Sequence, residues 1–390
     1  MSEKKPSTKL IHRNSGGRLL PTVNPPVERA STLLMKDRAS LYQDKPSYGR
    51  MGLAVHRELE EALSELESGC ATQLTPNGLS ACTLAIASCV KTGDHILVTD
   101  NAYGPTRRFC IKRLAAMGVD VTFFDPTIGV EIEELIRLNT SVIFLESPGS
   151  LTFELSDLPA IASIAKKHNA SVIVDNTWGA GVFYRPLELG ANISVQALTK
   201  YVVGHADAFG GAIISNDRSH ETKVRHCAEE WGISLAPDDA YLCLRGLRTL
   251  HTRLRSHETN GLEVARWLHD QPLIKAVLHP ALESHPQHNI WKRDYTGSCG
   301  LFSIVLEEMP DHALDTFLNT LELFSFGFSW GGYESLINPA DSEFKRTIGP
   351  WSDGQRPGRL VRLHVGLEDA NDLIDDLSSA LEKLKNLQST

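Results

Sequence analysis

The sequence of 390 residues lacks several features that would each indicate a particular class of protein. No run approaches the roughly 18 consecutive apolar residues that a membrane-spanning helix needs. Positive charge is not in excess, since 39 Lys and Arg stand against 48 Asp and Glu, a net charge of −9. That balance argues against a nucleic-acid-binding surface, and we expect neither nucleic acid nor membrane as a partner. The first ten residues, MSEKKPSTKL, lack the apolar core of a signal peptide, so we expect a cytoplasmic protein.

Cysteine is present but not in any pattern that forms a site. The seven cysteines are odd in number, and none lies in a CxxC pair or at the spacing of zinc ligands. We therefore expect reduced thiols that pack as small apolar side chains, with no disulfide framework and no metal. Internal repeats and low-complexity tracts are also lacking.

The order of apolar segments predicts an α/β fold. Residues 1–50, rich in Pro, Gly, Ser and Arg, are predicted to form an extended arm that contacts a neighbouring subunit. From residue 51 to 246, short apolar runs alternate with helical patterns, which is typical of a mostly parallel sheet covered on both faces. The runs are HILVTD, VTFFD, SVIFLES, SVIVDN, ISVQAL and GGAIIS. Residues 247–390 carry long amphipathic stretches around two strand candidates and are predicted to form a smaller α+β domain.

Candidate site residues follow the predicted strands, because ligands of open α/β sheets bind at the carboxyl ends of the strands. Gly78 precedes a helical pattern, so the backbone amides of Gly78, Leu79 and Ser80 could bind a phosphate. An ordinary helix start is the better explanation of that motif taken alone. Tyr103 follows HILVTD and could stack on a cofactor ring and accept a proton near it, or could simply be a packing residue.

A carboxylate and an amine end two further apolar strands. Asp175 would need a partner at the buried end of SVIVD, and a pyridinium N–H is a suitable one, although a loop-capping aspartate explains this stretch by itself equally well. Asn176 could donate to the phenolate oxygen of such a cofactor. Lys200 comes twenty-five residues later, after Thr199, and burial there would lower its pKa and favour imine formation. A surface lysine is the usual explanation of one such residue, but this spacing favours a shared ligand.

Arg362 lies in RLVRLHV, where alternate residues form the apolar face of a predicted strand. Its planar guanidinium suits a carboxylate. An alternative from another class is an α/β-hydrolase, because GFSWG fits the G-x-S-x-G elbow around Ser329 and is followed by Asp353 and His364. The early glycines and proline after GFSWG argue against this alternative, since the elbow is followed by a helix.

Taken together, the motifs resemble the cysteine/methionine-metabolism family of pyridoxal-5′-phosphate (PLP) enzymes, and most closely proteobacterial cystathionine β-lyases. The resemblance extends from about residue 21 to residue 384. It is carried by NPPVERAST, YGRMG, IFLESPGS, DNTWGAGV, ALTKYVVGHADA, LRGLRTLHTRLRSH, FSWGGYESL and RLVRLHVGLED. It implies the aspartate-aminotransferase-like fold (fold type I), PLP as cofactor and a homotetramer with shared sites. It also implies β-elimination from L-cystathionine, and from cystine and other cysteine conjugates, in methionine biosynthesis, with a cystathionine or methionine γ-lyase as the alternative.

The family's roles can be assigned to matching residues. The resemblance makes Lys200 the Schiff-base lysine and Asp175 the partner of the pyridine nitrogen, while Tyr103 stacks on the ring. For the phosphate it assigns Gly78, Leu79 and Thr199, with Tyr48 and Arg50 from a neighbouring subunit. The substrate carboxylate is assigned to Arg362, with Ser329, Trp330 and Tyr48 beside the substrate. Leu198 departs from the pattern, because many members have a phosphate-binding serine there.

Overall fold

Two β-sheets organise the chain. The computed structural model describes residues 5–11, 22–43, 46–340, 345–352 and 357–388. Within these residues, one sheet has seven strands and the other has five.

The strands are short and alternate with helices along the first two thirds of the chain. The larger sheet contains β1 (Ala71–Thr75), β2 (His95–Thr99), β3 (Asp120–Phe124), β4 (Thr140–Glu146), β5 (Ser171–Asp175), β6 (Ile193–Gln196) and β7 (Gly211–Ser215). The smaller sheet contains β8 (Ile274–Leu278), β9 (Leu301–Leu306), β10 (Ser325–Phe326), β11 (Leu336–Pro339) and β12 (Arg359–His364). Each of the six predicted apolar runs coincides with a strand to within one or two residues at either end. β1 was not predicted, because its sequence ATQLT is largely polar.

Helices connect the strands and cover the sheets. The α-helices are α1 (Pro6–Ile11), α2 (Ala54–Leu66), α3 (Gly78–Ala87), α4 (Gly104–Phe109), α5 (Leu158–Lys167), α6 (Arg218–Glu230), α7 (Pro237–Leu247), α8 (Leu250–His269), α9 (His288–Asp294), α10 (Asp311–Thr320) and α11 (Ala370–Gln388). A π-helical turn, Cys110–Leu114, extends α4. Short 3₁₀ helices occur at Ala39–Tyr42, Gly49–Met51, Gly129–Leu135 and Gly349–Trp351.

The direction of the strands brings the candidate residues to one edge. The larger sheet has the order β1-β7-β6-β5-β4-β2-β3. Its pairs are parallel except that β7 runs antiparallel to both β6 and β1, so β1 runs in the same direction as β2 to β6. The segments after β1, β2, β4, β5 and β6 therefore meet at the carboxyl edge of the sheet. This architecture confirms the predicted fold class.

Both faces of the larger sheet are buried in separate cores. Along β4, Ile143 and Leu145 belong to one apolar cluster, whereas Val142 and Phe144 belong to the other. Residues of both faces are apolar because helices cover both faces, which is why the strands read as continuous apolar runs.

The smaller sheet, of order β10-β11-β12-β9-β8, packs on α8, α10 and α11. Helix α8 contributes Leu250 and Leu254 to a core of the larger sheet. Its second half contributes Val264 and Leu268 to the core of the smaller sheet. The predicted division at residue 247 stays a prediction, since α8 is shared by the two cores.

The described part of the predicted arm contacts its own chain at both ends. Within the arm, an isolated bridge joins Thr32 to Tyr48, and Gly49 N donates to Ser31 O over 2.7 Å. Arg29 forms an ion pair with Asp238. The short helix α1 packs through Leu10, which is 5% exposed, and its last carbonyl oxygens accept from Arg248.

Candidate active site

Lys200 lies in the turn that follows β6. Its Nζ donates a hydrogen bond of 2.9 Å to Oγ of Ser329 and lies 5.2 Å from the centre of the Trp330 ring. Burial and then the positive charge of Arg362 lower the pKa of Lys200 to about 8, although Asp175 acts in the opposite direction. A useful fraction of this lysine is therefore the unprotonated, nucleophilic amine near neutral pH.

Asp175 ends β5 and is a buried carboxylate with few donors. Its Oδ1 accepts hydrogen bonds from N (3.0 Å) and Oγ1 (2.5 Å) of Thr177, and its Oδ2 accepts one from Sγ of Cys82 (3.4 Å). Burial raises the pKa of Asp175, even though these hydrogen bonds and the charge of Lys200 lower it. A cation bound beside Oδ2 would relieve this unfavourable burial of charge.

Glu146 ends β4 and is paired in register with Asp175. Its Oε2 accepts a hydrogen bond of 2.6 Å from the backbone N of Tyr103. Burial and then the neighbouring charge of Asp175 raise the pKa of Glu146 well above its usual value. Asp175 and Glu146 thus form a close pair of carboxyl groups, and burial raises the pKa of both.

Tyr103 follows β2 and begins α4, and its side chain is 47% exposed. Burial of the phenol and then the charge of Glu146 raise the pKa of Tyr103. The phenol therefore keeps its proton at neutral pH. The two predicted roles of Tyr103, stacking on the cofactor ring and accepting a proton near it, stay predictions.

The amino end of α3 offers backbone donors. The side chain of Asn77 caps the helix by accepting from Ser80 N over 2.9 Å. In a helix the first amides have no intrahelical acceptor, which leaves those of Gly78 and Leu79 for an anion. The amide of Ser80, also expected to point outward, is instead used by the cap. A Cβ at position 78 would lie 2.3 Å from Cβ of Ala197, so only glycine fits.

Thr199 and Leu198 differ in orientation. Oγ1 of Thr199 accepts a hydrogen bond from Gly210 N (3.1 Å) and donates to Gly210 O (3.2 Å). Its hydroxyl can rotate toward a phosphate only by exchanging the second of these bonds. Leu198 is fully buried in the core, so this position contributes no polar group.

Arg362 lies on β12 of the smaller sheet and is 8% exposed. Its Nη2 donates to the carbonyl oxygens of Gly327 (3.2 Å), Phe328 (2.9 Å) and Ser329 (3.2 Å). These bonds fix the plane of the guanidinium. They also tie Arg362 to the segment whose Ser329 accepts from Lys200, so the two sheets jointly form one site.

Comparisons with known proteins identify the family. The model of the family described as Cys/Met metabolism PLP-dependent enzyme matches residues 7–382. The chain belongs to this family. A cystathionine β-lyase of Salmonella typhimurium (strain LT2) is 42% identical over 395 residues, which cover 98% of this chain and 100% of that protein. The predicted family is thereby confirmed.

Two further proteins that are similar to this chain are named for other activities. A cystathionine γ-lyase of Sus scrofa is 36% identical over 364 residues, which cover 92% of this chain and 89% of that protein. The crystal structure of cystathionine gamma synthase from Xanthomonas oryzae pv. oryzae, in complex with aminoacrylate and cysteine, has a TM-score of 0.92. The Xanthomonas chain is 28% identical to this one, and the match covers 99% of this chain and 100% of the Xanthomonas chain.

Members of the Cys/Met metabolism family use PLP, and the residues at this edge fit that cofactor. The amine of Lys200 suits its aldehyde, and the buried carboxylate of Asp175 suits its ring nitrogen. The amides of Gly78 and Leu79 suit its phosphate, at a position where a side chain on residue 78 would collide with Ala197. These three donor and acceptor types match the three polar ends of PLP.

Asn176 does not take the predicted role. Its Nδ2 donates to Oε2 of Glu67 (3.0 Å) and to the carbonyl oxygen of Tyr184 (2.9 Å), and its side chain is fully buried. An amide has only two hydrogens to donate, so none is left for a cofactor oxygen. Asn176 therefore supports the fold beneath the site.

The hydrolase alternative is wrong. After Gly331 the next element is the strand β11, whereas the elbow needs a helix. Oγ of Ser329 accepts from Lys200, and Nε2 of His364 accepts from Gly331 N over 3.1 Å. Asp353, the third residue of that alternative, lies outside the described residues.

Tyr48 and Arg50 are not placed beside Lys200 of their own chain in the described part of the structure. Arg50 lines a separate cavity of about 890 Å³ between α2, β1 and α6. The side chain of Tyr48 is 47% exposed.

The sequence analysis missed two residues of the site, Glu146 and Cys82. Glu146 could have been found, because it ends the apolar run SVIFL in the same way that Asp175 ends SVIV. Cys82 gave no signal, since a buried thiol in an apolar helix is usually a packing residue.

Proposed function

We propose that the chain is a PLP-dependent carbon–sulfur β-lyase that cleaves L-cystathionine with water to homocysteine, pyruvate and ammonia. The observation that carries the proposal is the amine of Lys200, whose pKa is lowered to about 8 by burial and then by the charge of Arg362, while Asp175 opposes this. The Salmonella relative, named a cystathionine β-lyase, supports the choice of substrate. Homocysteine is a precursor of methionine, so the reaction is a step of methionine biosynthesis.

Lys200 moves the protons of the reaction. When bound, PLP supplies an aldehyde for covalent attachment and an electron-withdrawing ring that accepts the electron pair released at Cα. The neutral amine of Lys200 removes the proton from Cα and then returns it to the departing sulfur atom. The hydroxyl of Ser329, 2.9 Å from Nζ, steers the amine between these positions.

Arg362 holds the α-carboxylate of the substrate. Its guanidinium plane is fixed by the three carbonyl oxygens of residues 327–329, which favours a bidentate pair with a carboxylate. The ring of Trp330, whose centre lies 5.2 Å from Nζ of Lys200, would shield the amine from water. Asp175 keeps the ring nitrogen protonated, so that electron withdrawal is maintained during proton removal.

The products of L-cystathionine test the proposal. A β-lyase releases pyruvate and homocysteine, whereas the γ-lyase alternative, which the Sus scrofa relative represents, releases 2-oxobutyrate and cysteine. Chromatography of the keto acid and of the thiol from one reaction separates the two activities. Cystine, other cysteine S-conjugates and methionine, compared at equal concentration, define the substrate range.

We further propose that the enzyme is a homotetramer, built from dimers in which residues 1–50 complete the neighbouring site. Val23, Leu34 and Tyr42 support this, because each exposes more than 80% of its surface although it is apolar. Arg50 and Tyr48 would then reach the partner's phosphate and substrate, and a two-fold axis would make the exchange reciprocal.

Subunit mixing tests the shared site. Arg50→Ala and Lys200→Ala chains, each inactive alone, should regain activity after exchange, because some hybrid dimers contain one intact site. The matched control is Arg218→Ala, an exposed arginine on the same cavity as Arg50, which should be active without mixing. If fully exchanged hybrids stay as inactive as the parents, each site is built from one chain.

We also propose a cytoplasmic location. All seven cysteines lie among the described residues and are free thiols, which suits a reducing compartment. Among the described helices, none is long and apolar enough to cross a membrane.

A further inference from the structure

Asp100 is a buried carboxylate that two parts of the chain bind at once. It follows β2 directly and is 1% exposed. Arg107 lies on the next helix along the chain, α4. Its Nη1 donates to Oδ1 (2.6 Å) and to the carbonyl oxygen of Asp100 (2.7 Å). From the far end of the chain, Thr347 donates through N to Oδ2 (2.9 Å) and through Oγ1 to Oδ1 (2.7 Å). Ile348 N adds a further hydrogen bond to Oδ2 of 3.1 Å.

An ion pair between Arg346 and Glu154 also binds the segment that contains Thr347 and Ile348. Nη2 of Arg346 donates to Oε1 of Glu154 (2.8 Å) and to Oγ1 of Thr152 (2.9 Å), and Arg346 is 6% exposed. Glu154 also accepts, through its carbonyl oxygen, from Nδ2 of Asn101 (3.3 Å). Residues 345–348 are thus bound directly to Asp100, the first residue of the loop after β2, and are connected to the second, Asn101, through Glu154.

That loop carries Tyr103. Backbone N of Arg107 donates to the carbonyl oxygen of Tyr103 over 3.0 Å, so the arginine that holds Asp100 also closes the turn at Tyr103. Residues 345–348 lie between β11 and β12, and β12 carries Arg362. The contact therefore connects the segment before the Arg362 strand with the loop that presents the Tyr103 ring.

We propose that Asp100, bound by residues 345–348, is a positioning residue. It sets the orientation of the Tyr103 ring over the cofactor, and it sets the distance between the loop that carries Tyr103 and the strand that carries Arg362. The carboxylate oxygens of Asp100 accept all three hydrogen bonds that Thr347 and Ile348 donate to it, so this part of the contact requires a carboxylate. An amide at position 100 would turn one acceptor into a donor facing Thr347 or Arg107, while leaving the side-chain volume unchanged. This inference rests on the proposed stacking role of Tyr103.

Hydrogen exchange in the cofactor-free protein tests the contact between Asp100 and residues 345–348 without reference to activity. Thr347→Val removes one hydrogen bond at constant size and should speed exchange in peptides covering residues 99–109 about three- to tenfold. Asp100→Asn should have the larger effect, on the order of tenfold or more. Thr316→Val and Asp311→Asn on α10 make the same chemical changes far from the loop and should leave these peptides unchanged. Equal exchange in variants and controls would overturn the proposal.

Activity and the visible circular dichroism of the bound cofactor test the positioning role. In Asp100→Asn, kcat should fall roughly tenfold with a smaller change in KM, because misorientation acts on the reacting geometry. The dichroism of the cofactor band should change as well. In a Tyr103→Leu background, Asp100→Asn should cost little more, since it acts through Tyr103.

Full additivity of the two substitutions, or an unchanged cofactor band despite faster exchange, would show that the contact is only structural. If Asp100→Asn fails to fold, Thr347→Val carries the same measurements. A mistaken substrate assignment would lower the activity of every variant and of the unmodified enzyme alike, whereas the exchange and dichroism results would be unaffected.

Discussion

The pKa of Lys200 is held near 8 by neighbours that can be removed one at a time. Arg362 lowers this pKa and Asp175 raises it, while burial makes the largest contribution. Arg362→Met should therefore raise the pKa of Lys200, and Asp175→Asn should lower it. Opposite shifts from substitutions of two buried residues are difficult to explain by a general disturbance of the fold, which would act in one direction.

The size of the first shift follows from Ser329, which connects the two cations. Its Oγ lies 2.9 Å from Nζ of Lys200, and its carbonyl oxygen lies 3.2 Å from Nη2 of Arg362. These distances and the span of a serine place the charges within about 10 Å of each other. At an effective dielectric constant of roughly 20–40, their repulsion is about 0.8–1.7 kcal/mol, or about 0.6–1.2 pKa units. The pKa of Lys200 should then rise to about 9, and its neutral fraction at pH 7 should fall from about 9% to about 1%.

Competitive acetylation measures this pKa directly. Cofactor-free protein is pulsed with acetic anhydride between pH 6 and 11, and modification of the Lys200 peptide is quantified by mass spectrometry against the exposed Lys167. Far-ultraviolet circular dichroism confirms that each variant is folded. Shifts of the same sign in both variants, or no shift in either, would refute the reasoning that these two charges set the pKa.

Two further substitutions test the cofactor contacts. Lys200→Ala should abolish turnover and the adduct that borohydride fixes to the protein, whereas Lys167→Ala should retain both; a reducible adduct on another lysine would contradict the assignment. Gly78→Ala should weaken PLP binding at least about tenfold, because a Cβ there would lie 2.3 Å from Cβ of Ala197 and displace the helix start. Gly104→Ala, at a helix start with open space around it, is the matched control. Equal PLP affinity in the two variants would show that PLP binding does not depend on the absence of a side chain at position 78.

The strand ends of the larger sheet could be predicted because burial leaves a simple trace in the sequence. Each buried parallel strand appears as an apolar run, and the polar residue that ends it marks the ligand edge, as Asp175 does. β1 escaped prediction because it is identified by its pairing with β7 and not by its own composition.

The roles of Asn176 and Ser80 could not be predicted, for a different physical reason. Each lies beside another predicted site residue, but its donor hydrogens are taken by a partner within the fold, Glu67 in the case of Asn176 and Asn77 in the case of Ser80. Sequence indicates that a polar group is near an edge, whereas only coordinates show which acceptor has already claimed its hydrogens. The contact between Asp100 and Thr347 was likewise invisible, because its partners are separated by almost 250 positions.

Helix α8, shared by the two cores, has a consequence for folding cooperativity. Its 20 residues join the apolar interior beneath Lys200 to the interior behind Arg362, so neither can melt without exposing apolar surface of the other. A substrate analogue that contacts both Arg362 and the Lys200 turn adds a second connection between these two cores. Its binding would therefore stabilise both cores, and the chain should unfold on heating in a single transition at a higher temperature.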